Sequence, residues 1–152
     1  MLPSRRTIFS RLAAGIVGGA GLWRGSAEAA GAVASGVPKV AYHLCDLDKV
    51  AFVIGNIENH IAGMGGPDKV TIVLVVHGPA LALFRTARTN PDIARRVAGI
   101  AAAGVGLAAC GNTLASQDID VGDLLPGFVR VDEGGVTRLA RLQAEGYAYL
   151  RP

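Results

Sequence analysis

The sequence predicts an α/β fold built on a five-stranded parallel sheet with helices on both sides. Three observations carry this. Five short strand-like runs alternate with segments of helical period along the second half and middle of the chain. The run 70–77, VTIVLVVH, is apolar at successive positions, as a strand buried between two helical layers must be. Once the N-terminal leader is set aside, 123 of the 152 residues remain, which suits one domain rather than two.

Each element has its own local reason. KVAYHLC (39–45) reads as the first strand. Asp46 or Asp48 then offers a cap for a helix running to about Met64, whose stripe is Val50, Ile54, Ile57, Ile61 and Met64, a helical spacing. GGPD (65–68) turns the chain into the second strand, and Gly78-Pro79 ends that strand before a short helix over 80–84. Asn90-Pro91 starts the next helix, with Asn as cap and Pro in the first turn. Ile93, Val97, Ile100 and Ala101 form its buried stripe, and Arg95 and Arg96 face water. VGLAAC (105–110) is the third strand, and a short helix covers 113–117. Pro126-Gly127 leads into FVRV (128–131). Asp132-Glu133-Gly134 leads into a helix with Val136, Leu139 and Ala140 inward, and YAYLR (147–151) is the last strand. The crossovers are expected to be right-handed.

The first 29 residues read as a cleaved export signal. Arg5, Arg6 and Arg11 precede a weakly apolar run over 12–23, and Ala27-Glu28-Ala29 supplies small residues for cleavage. The run is too short for a membrane span, so no stable membrane anchor is expected after cleavage. The paired arginines after Ser4, with Ile8, Phe9 and Ser10 following, resemble a twin-arginine signal, which places the mature protein in the periplasm. Residues 30–38 read as a flexible tail and 39–152 as the domain. The signal holds four of the 15 basic residues and one of the 12 acidic ones, which leaves 11 of each and no net charge. The basic pI belongs to the signal, and nothing in the mature chain points to nucleic acid.

In an open parallel sheet, ligands bind beyond the carboxyl ends of the strands. There the sequence puts Cys45-Asp46, His77-Gly78-Pro79, Cys110-Gly111-Asn112 and Asp132-Glu133. Cys110 also precedes a short helix, and Gly111 lets backbone N–H groups approach whatever sits on the sulfur. Such a setting lowers a thiol pKa and makes a nucleophile. The competing reading is a small buried residue that ends a strand, and position alone does not choose. Cys45 is a resolving thiol, a disulfide partner of Cys110, or filler, and strand order decides whether the two can meet. His77 either orients an anion and shares a proton with Cys110, or simply bonds a carbonyl. His43 reads as a satisfied core histidine and His60 as a surface one. Asn112 holds a substrate oxygen or turns the chain. No pair among Cys45, His77, Cys110 and Asp132 has structural-zinc spacing, so no metal site is predicted. There is no GxGxxG, P-loop or Gly-x-Ser-x-Gly elbow, and no cofactor is predicted.

Four blocks in order, HGPALALF (77–84), AACGNTL (108–114), DLLPGF (123–128) and GYAYLRP (146–152), resemble the DsrE/DsrF-like sulfur-relay family, in particular its small stand-alone members. The similarity runs from about Lys39 to Pro152. It implies a three-layer α/β/α fold with a five-stranded parallel sheet, and a homo-oligomer, trimer or hexamer. It implies that the sulfur-carrying cysteine falls on Cys110, which accepts a sulfane sulfur as a persulfide and hands it on. It assigns no role to Cys45. Three functions therefore stand for test: an exported sulfur carrier, a non-catalytic oligomeric module for a small anion or partner protein, and a Cys45/Cys110 dithiol redox protein.

Overall fold

The computed structural model describes residues 36–152. The export signal and most of the tail assigned to 30–38 lie outside these residues. Five strands, β1 (Lys39–Leu44), β2 (Thr71–Val76), β3 (Gly106–Cys110), β4 (Phe128–Val131) and β5 (Ala148–Leu150), form one sheet in the order β4-β3-β2-β1-β5. All neighbours are parallel. Between them lie α1 (Val50–Gly63), α2 (Pro91–Ala102), α3 (Gly111–Ser116) and α4 (Gly135–Ala144). The three-layer α/β/α fold with a five-stranded parallel sheet is thus the one the sequence predicts.

The two faces are unequal. The chain steps one way across the sheet from β1 to β4, then returns over the other face to place β5 beside β1. The main core, with Leu44, Ile54, Leu74, Phe84, Val97 and Leu114 in it, lies on one face. The second face holds a smaller core of Ala41, Val75, Ala108, Leu139 and Leu142, with α4 as its helical cover. The alternation of side chains along each strand decides which residue goes where: Leu74 and Val76 of β2 enter the first core, and Val75 enters the second.

Several local expectations need correction. α1 starts at Val50, after a 3₁₀ turn over Leu47–Lys49, and neither Asp46 nor Asp48 caps it through its side chain. Its buried stripe is Val50, Val53, Ile54 and Ile57, while Met64, past the helix end, is exposed. Asn90 does cap α2, accepting the Ile93 N–H at 2.8 Å. Arg96 does not face water. It reaches across to α1, where its guanidinium is bound by both carboxylate oxygens of Glu58, at 2.7 Å for the closest pair. In α4, Leu139 points inward as expected, but its partner is Leu142, while Val136 and Ala140 are exposed. The two leucines carry more apolar surface than a valine and an alanine, and they set the helix's rotation. His60 is half-buried, its Nδ1 2.9 Å from the Tyr42 hydroxyl.

Candidate functional site

The site is built where β1, β2, β3 and β5 end. Register pairs Val75 and Val76 of β2 with Ala108 and Ala109 of β3, so the next residues, His77 and Cys110, are neighbours. Alternation sends both toward the α4 face, as it does Val75 and Ala108. His43, two residues before Cys45 on β1, lies on that face as well, beside Ala41 in sequence alternation.

Cys110 is buried, and its backbone forms the N-cap position of α3. Burial by itself raises a thiol pKa, but four donors outweigh it: the Thr113 hydroxyl and the backbone N–H groups of Gly135, Thr113 and Asn112. The net pKa is lowered from the ordinary thiol value. These donors come from the first turns of two helices, α3 and α4, whose free N–H groups favour negative charge. Thr113 reaches further, since its Oγ1 accepts the Gly78 N–H at 3.0 Å. Gln117 donates to the Gly78 carbonyl at 3.0 Å, and Ala80 N–H donates to the Cys45 carbonyl at 3.0 Å. The loop after β2 is thereby tied to both flanking strand ends. Its turn needs Gly78, whose φ is 58°.

Glycine also lets α4 approach. A Cβ on Gly135 would lie 3.3 Å from the β-carbons of both Cys110 and His77. One on Gly134 would lie 2.7 Å from Asn112 Nδ2, and the φ there is 89°. One on Gly111 would lie 2.9 Å from the Val131 carbonyl oxygen. Gly111 therefore serves the packing of α3 against the end of β4. Asn112 turns an exposed side chain toward Gly134 and serves the sulfur through its backbone N–H.

His77 Nε2 sits 2.5 Å from His43 Nε2, and His43 Nδ1 sits 2.6 Å from the Tyr149 hydroxyl. The two imidazoles meet end to end through these nitrogens, with centroids 4.7 Å apart and planes inclined by 24°. His43 is a half-buried member of the site and not a core residue. Its pKa is lowered to about 4, first by burial and then by His77 and Arg151, against the pull of Asp46. The His77 pKa is lowered by burial and by Arg151. Arg151 and Asp46 close that end of the site with an ion pair at 3.1 Å.

Cys45 lies against Gly78, with its sulfur 3.9 Å from Asp46 Oδ1. Strand β2 separates it from Cys110. Two strand spacings are about 9–10 Å, and a disulfide needs Cα atoms about 4.4–6.8 Å apart. Both cysteines are free, and the dithiol reading has no bond to make in this geometry. Asp132 stands outside the site, exposed and paired with Arg130 at 2.6 Å.

No family model matches the chain, and no curated protein matches it either. Among solved structures, MTH1491 from Methanobacterium thermoautotrophicum, a protein of unknown function, is 31% identical to it. The match covers 76% of this chain and 99% of that one, with a TM-score of 0.66. The chain belongs to the MTH1491 family. MTH1491 is matched over nearly its whole length, so the family resemblance is one of a complete small domain.

In this MTH1491-family chain, sequence reasoning brought Cys110 and His77 to one site but missed Tyr149, Thr113 and Gly135. Tyr149 was hidden because β5 returns to β1 instead of following β4. Thr113 had a signal: a hydroxyl three residues after a strand-end cysteine, in the first turn of a helix. Gly134-Gly135 had one too, since paired glycines at a helix start leave room for a neighbour.

Proposed function

We propose that Cys110 is an activated thiolate that carries sulfane sulfur as a persulfide, in an exported, self-associating member of the DsrE/DsrF-like family. The observation that carries this reading is the sulfur's setting: a lowered pKa maintained by donors from two helix N-termini, despite burial. The same donors would stabilise a persulfide anion one bond further out. Two of the four resemblance blocks supply residues around this sulfur, His77 with Gly78 and Cys110 to Thr113, and a third supplies Tyr149, which reaches His77 through His43. Self-association is supported by the α4 face, where Val129 and Val136 are 65% and 71% exposed. Val129 also lines, with Val73, Ala108 and Val131, a cavity of about 230 Å³. Export rests on the twin-arginine resemblance of residues 1–29.

The low exposure of Cys110, 6%, favours a second reading, a binding module without turnover. Intact mass after brief polysulfide exposure separates the two. The carrier gains about 32 Da per sulfur, reversibly reduced. Cys110→Ser abolishes the gain and Cys45→Ser keeps it. No gain, or equal gain on both cysteines, makes Cys110 a packing residue and leaves the binding module.

A further inference from the structure

Two contacts join three side chains across the sheet: Tyr149 to His43 at 2.6 Å, and His43 to His77 at 2.5 Å. Tyr149, on the edge strand, is 41% exposed, while both histidines are half-buried. His77 stands beside Cys110: one Cβ built on Gly135 would lie 3.3 Å from the β-carbons of both. Its second ring nitrogen, Nδ1, has no protein partner among the described residues. With both imidazoles neutral, only two hydrogen arrangements satisfy this chain. In one, Tyr149 donates to His43 Nδ1, His43 Nε2–H donates to His77 Nε2, and His77 carries a proton on Nδ1. In the other, every donor is reversed. Shifting each proton one step along the chain interconverts them with no imidazolium formed.

We propose that Tyr149, His43 and His77 are a proton relay between solvent and the sulfur chemistry at Cys110. The proposal rests on the persulfide reading. Loading and unloading each move one proton, in opposite directions. In loading, the Cys110 thiolate bonds to a sulfane sulfur of a polysulfide dianion, and an S–S bond breaks. The electron pair leaves on the shortened polysulfide, which takes a proton and departs as its monoanion. His77 supplies that proton and is refilled through His43 and Tyr149 from water. In unloading, an acceptor thiol gives its proton to His77 and attacks the outer sulfur. The Cys110 thiolate leaves, and the relay returns to its first arrangement. Both histidine pKa values lie below the ordinary value, through burial first, so the pair stays neutral and able to hand protons on at neutral pH. Arg151 and Asp46, the charged groups beside it, are paired to each other.

Tyr149→Phe deletes one oxygen at an exposed position, and His43→Gln supplies a second break in the chain. Loading by polysulfide and release to a small thiol are followed by quenched intact mass, in H₂O and D₂O. Iodoacetamide alkylation of Cys110, which consumes thiolate and needs no proton from His77, is run beside them. Both variants are expected to slow loading and release by at least about tenfold, less than the roughly 10²–10⁴-fold of a positioned acid–base group because His77 itself is kept. They are also expected to shrink the solvent isotope effect and to leave alkylation within about twofold of wild type. Loading at the wild-type rate with an unchanged isotope effect overturns the relay and leaves the carrier standing. An equal fall in loading and alkylation also overturns it, since the residues then act on the thiolate through structure. A wild-type protein that never gains sulfur overturns the carrier reading instead, and the relay with it.

Discussion

Thr113 Oγ1 accepts the Gly78 N–H at 3.0 Å, which leaves its own proton for the Cys110 sulfur. One hydroxyl thus fixes the loop after β2 and lowers a thiol pKa. Thr113→Val keeps the shape and removes both bonds. The orphaned Gly78 N–H costs about 1–3 kcal/mol of stability, visible as a lower denaturation midpoint. The Cys110 pKa rises, so alkylation at pH 7 slows and its pH profile moves to higher pH. A profile that stayed in place would take Thr113 out of the thiolate's support. His43 makes a different pH prediction. Its folded pKa, lowered to about 4, lies below the ordinary 6.5. Between these values the unfolded chain binds a proton that the folded one refuses. Stability is therefore full above pH 6.5 and declines as the pH falls toward about 4. His43→Gln should flatten that part of the melting-temperature curve. An identical slope in the variant would assign the loss to another group.

The first turn of α4 decides how closely a second helix can aim its N–H groups at the sulfur. Gly135 is buried, and a methyl group there would press the β-carbons of Cys110 and His77 at 3.3 Å. Gly135→Ala should push the turn back by a few tenths of an ångström and weaken the Gly135 N–H contact with the sulfur. The expected result is slower Cys110 alkylation at pH 7, tending to about tenfold per unit of raised pKa, with α4 still folded by circular dichroism. An unchanged rate would mean that α3 and Thr113 suffice. Helix α4 was recognisable from its sequence, but its rotation was not. Val136 and Ala140 looked inward because period alone fixes the spacing of a stripe and not which of two adjacent stripes wins. Leu139 is inward in both readings, and Leu142 joins it because the two leucines fill the space over Ala41, Val75 and Ala108. Local sequence hides the inward turn of Arg96 for a related reason: its partner Glu58 sits on another helix, 38 residues away.

Among the described residues, α1, α2 and α3 pack into the larger core on one sheet face and α4 is the one helix on the other. Val129, which lines a cavity with Val73 and Val131, and Val136 on α4 both stay exposed. If copies of the chain meet there, Val129→Lys with Val136→Lys should lower the mass measured by sedimentation. Stability of the dissociated chain should change by no more than about 0.5 kcal/mol per surface substitution. An unchanged mass would move the self-contact elsewhere or remove it.

The α/β class, the five parallel strands and the placing of His77 and Cys110 at neighbouring strand ends were legible in the linear chain. Periodicity of 2 and 3.6, glycine and proline punctuation, and the burial of both faces of VTIVLVVH are local properties, and they are written in consecutive residues. Strand order is not local. Only the folded sheet put β2 between Cys45 and Cys110, which leaves the two thiols apart. Only the return of β5 to the edge beside β1 brought Tyr149 to His43, across 106 residues of sequence. The sequence could name Cys110 and His77 because each ends its own strand. The groups that tune them arrive from distant segments, through pairings whose energy depends on the whole sheet.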